Sequence, residues 1–242
     1  MKLNPQTNQR VGRAMHAYEM LADNDRVLIA VSGGVDSLVL TWLLDHWRKK
    51  APIGYELLAV HLDMGFGDNE AELVRRQIER LGVDHHIEKT DFGANALKAE
   101  EGRSACFHCA RQRRSRLFDI AEERGFGKIA FGHHLEDIIE TFFINLMYGG
   151  NLSTMVPNQA IFEGRLNMIR PMAFLEKKEI IEIGRELGVE PVANPCPMSK
   201  ESKRVQIRKL LETSIYPLDD SVKANIFAAL GNVRTDYLLK KL

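Results

Sequence analysis

The sequence predicts an α/β fold, a parallel sheet covered by helices on both faces and followed by a small helical region. Three observations carry this. Short apolar, β-branched runs alternate with segments at helical spacing between residues 26 and 171. The polar clusters fall at the carboxyl ends of those runs, where open parallel sheets bind their ligands. After Pro171 the alternation stops and only helical patterns remain.

The elements follow in order. Residues 2–22 read as an amphipathic helix, with Val11, Met15, Tyr18 and Leu21 on one face. Residues 26–31 form the first strand, 38–47 a helix, 56–63 a second strand, 70–81 a helix and 83–89 a third strand. A helix is expected over 111–124, a fourth strand over 128–132, a helix over 136–148 and a fifth strand over 166–171. Helices are expected over 176–187, 201–211 and 221–240. The organisation is therefore an N-terminal helix (1–25), a sheet-bearing domain (26–172) and a helical C-terminal region (173–242). Right-handed βαβ crossovers put "SGGVDS", "HLD", "FGHHLED" and "RPM" on one edge.

The 242 residues include 33 basic and 33 acidic side chains. That balance argues against a wholly basic nucleic-acid surface but leaves two local patches, "RQRRSR" (111–116) and "KESKRVQIRK" (200–209). No apolar run approaches the ~20 residues that span a bilayer. The first twenty residues lack the apolar core of a secretory signal. A soluble cytoplasmic protein without a membrane partner is the expectation.

"SGGVDS", residues 32–37, has the parts of an anion cradle. Gly33 and Gly34 can adopt positive φ and bring successive N–H groups into one concavity. The following helix adds its unpaired N–H groups and positive dipole end. Ser32 and Ser37 offer hydroxyls. Asp36 is out of place beside phosphate unless it accepts backbone N–H bonds or faces magnesium. Neither G-x-x-x-x-G-K-[ST] nor G-x-G-x-x-G occurs.

Three cysteines are too few for a disulfide framework. Cys106 and Cys109 form a C-x-x-C expected just ahead of a helix, where the helix end and nearby arginines lower a thiol pKa. Cys196 lies between prolines. A redox dithiol needs only the pair. A zinc site wants a fourth ligand, such as His108 or His134. A cubane iron–sulfur cluster on three thiolates leaves one iron open. The residues favour a metal over a redox dithiol and leave its kind open.

"SGGVDS" resembles the PP-loop of the ATP-pyrophosphatase superfamily, enzymes that split ATP between the α and β phosphates. The chain as a whole is similar to the tRNA 2-thiocytidine synthetase family. The likeness runs through "VGRAMHAYEMLADNDRVLIAVSGGVDS", "CFHCARQRR", "KIAFGHHLEDIIETFFINLMYGGNLSTM", "IRPM", Cys196 and "IFAALGNV". It implies a Rossmann-like sheet of the PP-loop (HUP) type. It also implies ATP and Mg2+, and a [4Fe-4S] cluster on Cys106, Cys109 and Cys196. The implied reaction adenylates a pyrimidine C2 carbonyl, cytidine in the tRNA anticodon loop, and replaces its oxygen with sulfur. The implied partners are tRNA, a sulfur donor (sulfide or a desulfurase-derived persulfide) and a second copy of the chain. A uridine target and a cluster-free PP-loop synthetase are the alternatives, with an iron–sulfur sensor and a zinc-stabilised binding protein as rivals from other classes.

The resemblance also distributes roles. Ser32, Gly33, Gly34, Asp36 and Ser37 would hold pyrophosphate, and Val60, His61 and Gly132 the adenosine side. Asp63 and Asp137 would meet magnesium or the base. Arg113 would steady negative charge in the transition state. Arg114, Arg116 and the 200–209 run would touch the tRNA backbone. His133 and His134 divide evenly between packing and ligation, and Phe142, Phe143 and Tyr148 read as core. The family usually carries lysine where Val35 stands here.

Overall fold

The computed structural model describes residues 3–67, 69–99, 103–193, 196–200 and 202–240. Lys2 and Glu201, which the sequence put at the start of helices, lie outside them. The first helix, α1 (Pro5–Ala17), starts where Asn4 Oδ1 accepts the Gln6 N–H at 2.9 Å and proline occupies its first position. It buries Val11, Ala14 and Met15 and ends before residue 22, because Glu19 turns the chain with φ +48°.

The sheet comprises β1 (Asp25–Ala30), β2 (Tyr55–Asp63), β3 (His85–Lys89), β4 (Lys128–Ala130), β5 (Asn158–Ile161) and β6 (Leu166–Ile169), in the order β3-β2-β1-β4-β6-β5. All pairings are parallel except β5 with β6. The chain leaves β1 toward β2 on one side and returns to β4 on the other. The crevice above β1 and β4 is thus a topological switch point.

Helices α2 (Val35–Arg48), α3 (Glu70–Leu81) and α7 (Lys177–Glu186) join α1 over one face. There Leu38, Leu40, Leu43, Leu44 and Ile78 are fully buried against Val27 and Ile29. Each such side chain contributes roughly 1.5–3 kcal/mol through its removal from water. Helix α5 (Arg103–Glu123) covers the other face, packing Leu117, Ile120 and Ala121 on Leu28, Val60 and Ile129. Helices α6 (Leu135–Gly149), α8 (Lys203–Leu210) and α9 (Val222–Ala229) enclose a third cluster around Ile139, Ile207 and Leu211.

Four local expectations need correction. β5 was not foreseen; it is a short antiparallel edge strand with little apolar content, joined to β6 through Phe162 and Glu163 at positive φ. A short helix, α4 (Phe92–Ala99), precedes α5. Residues 221–240 are not one helix, because α9 ends at Ala229 and a separate 3-10 turn follows at Thr235–Tyr237. Helix α8 starts later than expected, where Ser202 Oγ caps the Val205 N–H at 3.3 Å. Among the described residues no helix is long and apolar enough to cross a membrane.

Candidate active site

The site is built on the carboxyl ends of β1, β2 and β4. β1 ends in the glycine turn. Gly33 has φ +84°, and a Cβ there would stand 2.7 Å from Val74 Cγ2. Gly34 departs from expectation: it is the N-cap of α2 with φ −71°, extended backbone that any residue adopts. Its lack of a side chain leaves the approach to the α2 N-terminus open, where the first N–H groups have no partner within the helix.

The hydroxyl of Ser37 is buried and used internally. It donates to Gly34 O at 2.9 Å and accepts the Ser32 N–H at 3.1 Å. Ser32 is exposed and faces the turn. Asp36 has a partner that the sequence did not point to. Its carboxylate receives Lys177 Nζ, 2.5 Å from Oδ1 and 2.6 Å from Oδ2, from the first residue of α7. Gly132, past the end of β4, lies against the turn from outside. A Cβ on it would be 3.1 Å from Asp36 C and Ser37 N.

On the β2 side, Val60 and His61 are buried. His61 Nδ1 lies 2.9 Å from Val31 O; a carbonyl only accepts, so that nitrogen carries the proton. Nε2 is left as a buried acceptor with no protein partner. Burial depresses the His61 pKa and keeps the ring neutral, with the Arg113 charge adding to the effect. Asp63, also buried, uses Oδ1 to accept the Gly65 N–H at 2.9 Å. The burial of Glu70, and after it the Asp63 charge, raise the Glu70 pKa, and Glu70 Oε2 is buried without a partner.

Beyond β4, His134 is the N-cap of α6 and forms a reciprocal capping box with Asp137. Asp137 Oδ2 accepts the His134 N–H at 3.1 Å, and Oδ1 receives Arg204 at 3.2 Å. Arg208 grips the buried Glu140 at 2.6 and 3.1 Å. His133 stacks on Phe131. Burial, with the charges of Arg170 and Arg204, lowers its pKa to about 4 against the pull of Asp137.

Cys106 and Cys196 both lie within electrostatic reach of Cys109. Cys106 and Cys109 are inside the first two turns of α5, not ahead of it, three residues apart on one helical face. The Cys109 thiol is raised, not lowered. Burial is the main cause; the neighbouring Cys196 and Cys106 thiols add to it and Arg113 opposes it. Arg113 therefore lies within electrostatic reach of both Cys109 and His61. The Cys196 segment is tied to the glycine turn directly, since the Val192 N–H donates to Gly33 O at 3.0 Å. Cys196 follows four residues later, within about 14 Å of chain from Val192.

Among the described residues no three His, Cys, Asp or Glu side chains converge on a single-ion site. A zinc centre needs such convergence. A cubane does not, because each thiolate addresses a different iron. The all-sulfur donor set fits the cubane.

Some basic residues of the two patches are used within the fold. Arg116 is held by Glu88 and Glu123, Arg204 and Arg208 by α6, and Lys203 sits 4.1 Å from the Tyr148 ring centroid. Arg111, Arg113 and Arg114 are exposed. Phe142 and Phe143 are partly buried, Phe143 against the third cluster, whereas Tyr148 is nearly half exposed. Sequence reasoning gave Lys177 and Glu136 no role and read Arg204 only as part of a tRNA-facing patch. The signal for Lys177 was present: two consecutive lysines opening a helix, against its dipole.

The family model described as the PP-loop domain matches residues 3–214. The tRNA-cytidine(32) 2-sulfurtransferase of Geobacter sulfurreducens is 37% identical over 232 residues, covering 95% of this chain and 90% of the relative. The enzyme of the same name from Citrifermentans bemidjiense is 34% identical over 235 residues, covering 96% and 92%. Among solved structures, the U34-tRNA thiolase NcsA from Methanococcus maripaludis, solved with its [4Fe-4S] cluster, superposes with a TM-score of 0.75. It is 20% identical, and the match covers 97% of this chain and 83% of that one. That likeness speaks to the fold. The chain belongs to the PP-loop domain family, in the company of the tRNA-cytidine(32) 2-sulfurtransferases.

Proposed function

We propose that this protein is an ATP-dependent tRNA thiolase that converts a cytidine of the anticodon loop to 2-thiocytidine. The observation that carries the reading is a double link between the glycine turn and the segments that bear the cysteines. The glycine turn and the cysteine group are linked by the Val192–Gly33 hydrogen bond and by the shared neighbour Arg113. The names of the relatives support tRNA as the substrate.

The pyrimidine C2 oxygen is a poor leaving group. In the proposed reaction it attacks the α phosphorus of ATP, the bond to the bridging oxygen breaks, and pyrophosphate departs. A sulfur nucleophile then attacks C2, the C–O bond breaks, AMP leaves with that oxygen, and a thiocarbonyl remains. The N–H groups around Gly33 and Gly34 and the α2 N-terminus hold the pyrophosphate, with Ser32, Asp36 and Ser37 shaping the turn. Val60, His61 and Gly132 frame the adenosine side. His61 Nε2 accepts from the nucleotide, since its other nitrogen is committed to Val31. Asp63 and Asp137 face magnesium or the base. Arg113 neutralises the charge that develops at the transferring phosphate.

Cys106, Cys109 and Cys196 would hold a [4Fe-4S] cluster. When bound, such a cluster supplies an iron with an open position where sulfur stays deprotonated at neutral pH. Arg111 and Arg114 meet the tRNA backbone, contacts that position without reading sequence. The protein acts in the cytoplasm as a homodimer supplied with sulfide or a persulfide. Its parts are an N-terminal helix (1–25), the PP-loop domain (26–172) and a C-terminal region (173–242) that brings the third cysteine.

The test is anaerobic reconstitution with iron and sulfide, then incubation with ATP, magnesium, sulfide and bulk tRNA, and mass spectrometry of the digested nucleosides. 2-Thiocytidine is expected. A thiolated uridine would move the target base, and pyrophosphate release with no thionucleoside would overturn the reading.

A further inference from the structure

The glycine turn carries no cation of its own. From Ser32 to Asp45, through nearly all of α2, there is no lysine, arginine or histidine. Phosphate cradles commonly add a lysine to their backbone N–H groups, because N–H dipoles alone do not balance a multiply charged anion. We propose that Lys177 is that cation: it waits on Asp36 and transfers to the pyrophosphate part of ATP when the nucleotide arrives. The proposal rests on reading the turn as the ATP cradle.

Four observations support it. First, the ammonium sits on the second residue of α2, at the mouth of the cradle, touching both Asp36 oxygens. Second, the pair is open to solvent: the Lys177 side chain is 38% exposed and that of Asp36 30%. Ion pairs this exposed contribute little to stability and exchange partners readily.

Third, α7 gains nothing by having the lysine there. Lys177 and Lys178 occupy its first two positions, where the helix dipole disfavours positive charge. The placement makes sense toward a partner outside the helix. The backbone beneath it is fixed, because the Lys177 N–H donates to Glu136 Oε2 at 3.0 Å and Glu176 with Glu179 closes a capping box. A rigid base under a four-carbon stem lets the ammonium swing a short distance without moving the helix.

Fourth, the place inside the turn where a cation could stand is used for packing. Val35 lies in the seam between α2 and α7, so close that a Cβ on Gly184 would fall 2.6 Å from Val35 Cγ2. That close approach carries Lys177 to Asp36. The charge absent from the turn is delivered by the neighbouring helix.

On ATP binding, Asp36 and phosphate compete for one ammonium. The phosphate carries more charge, and the N–H groups of the turn converge on it. Once the α–β bond breaks, Lys177 stabilises the departing pyrophosphate.

Calorimetric titration of the full-length protein tests this, with magnesium-free pyrophosphate, MgATP and AMP as ligands. Lys177→Gln is expected to weaken pyrophosphate and MgATP by about tenfold to a hundredfold, the equivalent of one charge-assisted hydrogen bond, and to leave AMP nearly unchanged. Lys177→Arg should recover most of the loss. Asp36→Asn should bind magnesium-free pyrophosphate at least as well as the wild type, because it releases the lysine. If Lys177 merely latches α7 to α2, Lys177→Gln and Asp36→Asn will lose pyrophosphate and AMP equally, and the proposal falls. It also falls if Lys177→Gln binds pyrophosphate like the wild type. A wild-type protein that binds neither pyrophosphate nor ATP would remove the cradle reading itself, a result separable from the other two.

Discussion

At the scale of single residues, the two glycines of the turn are not equivalent. Gly33 needs its positive φ, and its missing Cβ makes room for Val74 and Val192. Gly34 has ordinary extended backbone, with 3.6 Å to the nearest atom a Cβ would meet. Gly33→Ala should therefore destabilise the fold by about 1–3 kcal/mol through strain and overlap, and Gly34→Ala by less than about 1 kcal/mol. Urea unfolding followed by circular dichroism measures both. Equal losses would show that the two glycines are equivalent after all. The string "SGGVDS" announces an anion cradle, yet it does not tell which glycine bends the chain or where Asp36 looks. Both depend on α7 and the segment around Val192, which lie more than a hundred residues away in sequence.

Elements meet here through their ends. The N-termini of α2, α6 and α7 come together above β1 and β4, and acidic and basic side chains from each bridge the others. Glu136 is the hub. It accepts the Lys177 N–H at 3.0 Å and Lys223 Nζ of α9 at 3.0 Å, and lies 3.1 Å from His134. Burial alone would raise its pKa; hydrogen bonds from His134 and Lys223 outweigh that and bring it down to about 2. Its unfolded value is near 4.3. A carboxyl depressed in the folded state contributes stability that is fully present above about pH 5 and lost as pH falls toward 2. Glu136→Gln is thus expected to cost about 1–3 kcal/mol at pH 7, and the gap to wild type should close between about pH 5 and 2 in urea melts. A gap that stays constant across that range would mean the charge contributes nothing.

The elements differ in how legible they are. The five parallel strands, and the amphipathic α2, α3 and α7, can be read from periodicity, since one physical force sets both pattern and burial. β5 cannot, because an edge strand held by hydrogen bonds to β6 needs few apolar residues. The apolar string "IFAALGNV" reads as helix throughout until Gly231 and the turn around it are seen.

For the molecule as a whole, the candidate site draws on three distant stretches of the chain. The cradle comes from residues 32–37, two thiols from α5, and the third thiol from the segment beyond α7. Helix α8, which follows Cys196, is clamped to α6 through Arg204 and Arg208 on Asp137 and Glu140. The clamp and the Val192 bond hold the Cys196 segment on either side. Cys196→Ala should leave the fold and ATP affinity intact, abolish retention of iron after anaerobic reconstitution and abolish thiolation. Iron analysis, visible absorbance and nucleotide titration read the three separately. Thiolation that survives the substitution would rule out the cysteine group as the sulfur-handling part.

The bond from the Val192 N–H to Gly33 O has a consequence for biogenesis. A nascent chain can build the central strands soon after β4 leaves the ribosome, but the carbonyl of Gly33 must then wait until residue 192 has been synthesised. Lys177 and Cys196 also lie far behind the turn in the order of synthesis. A polypeptide that stops short of residue 192 therefore leaves the glycine turn without one of the bonds that fix it.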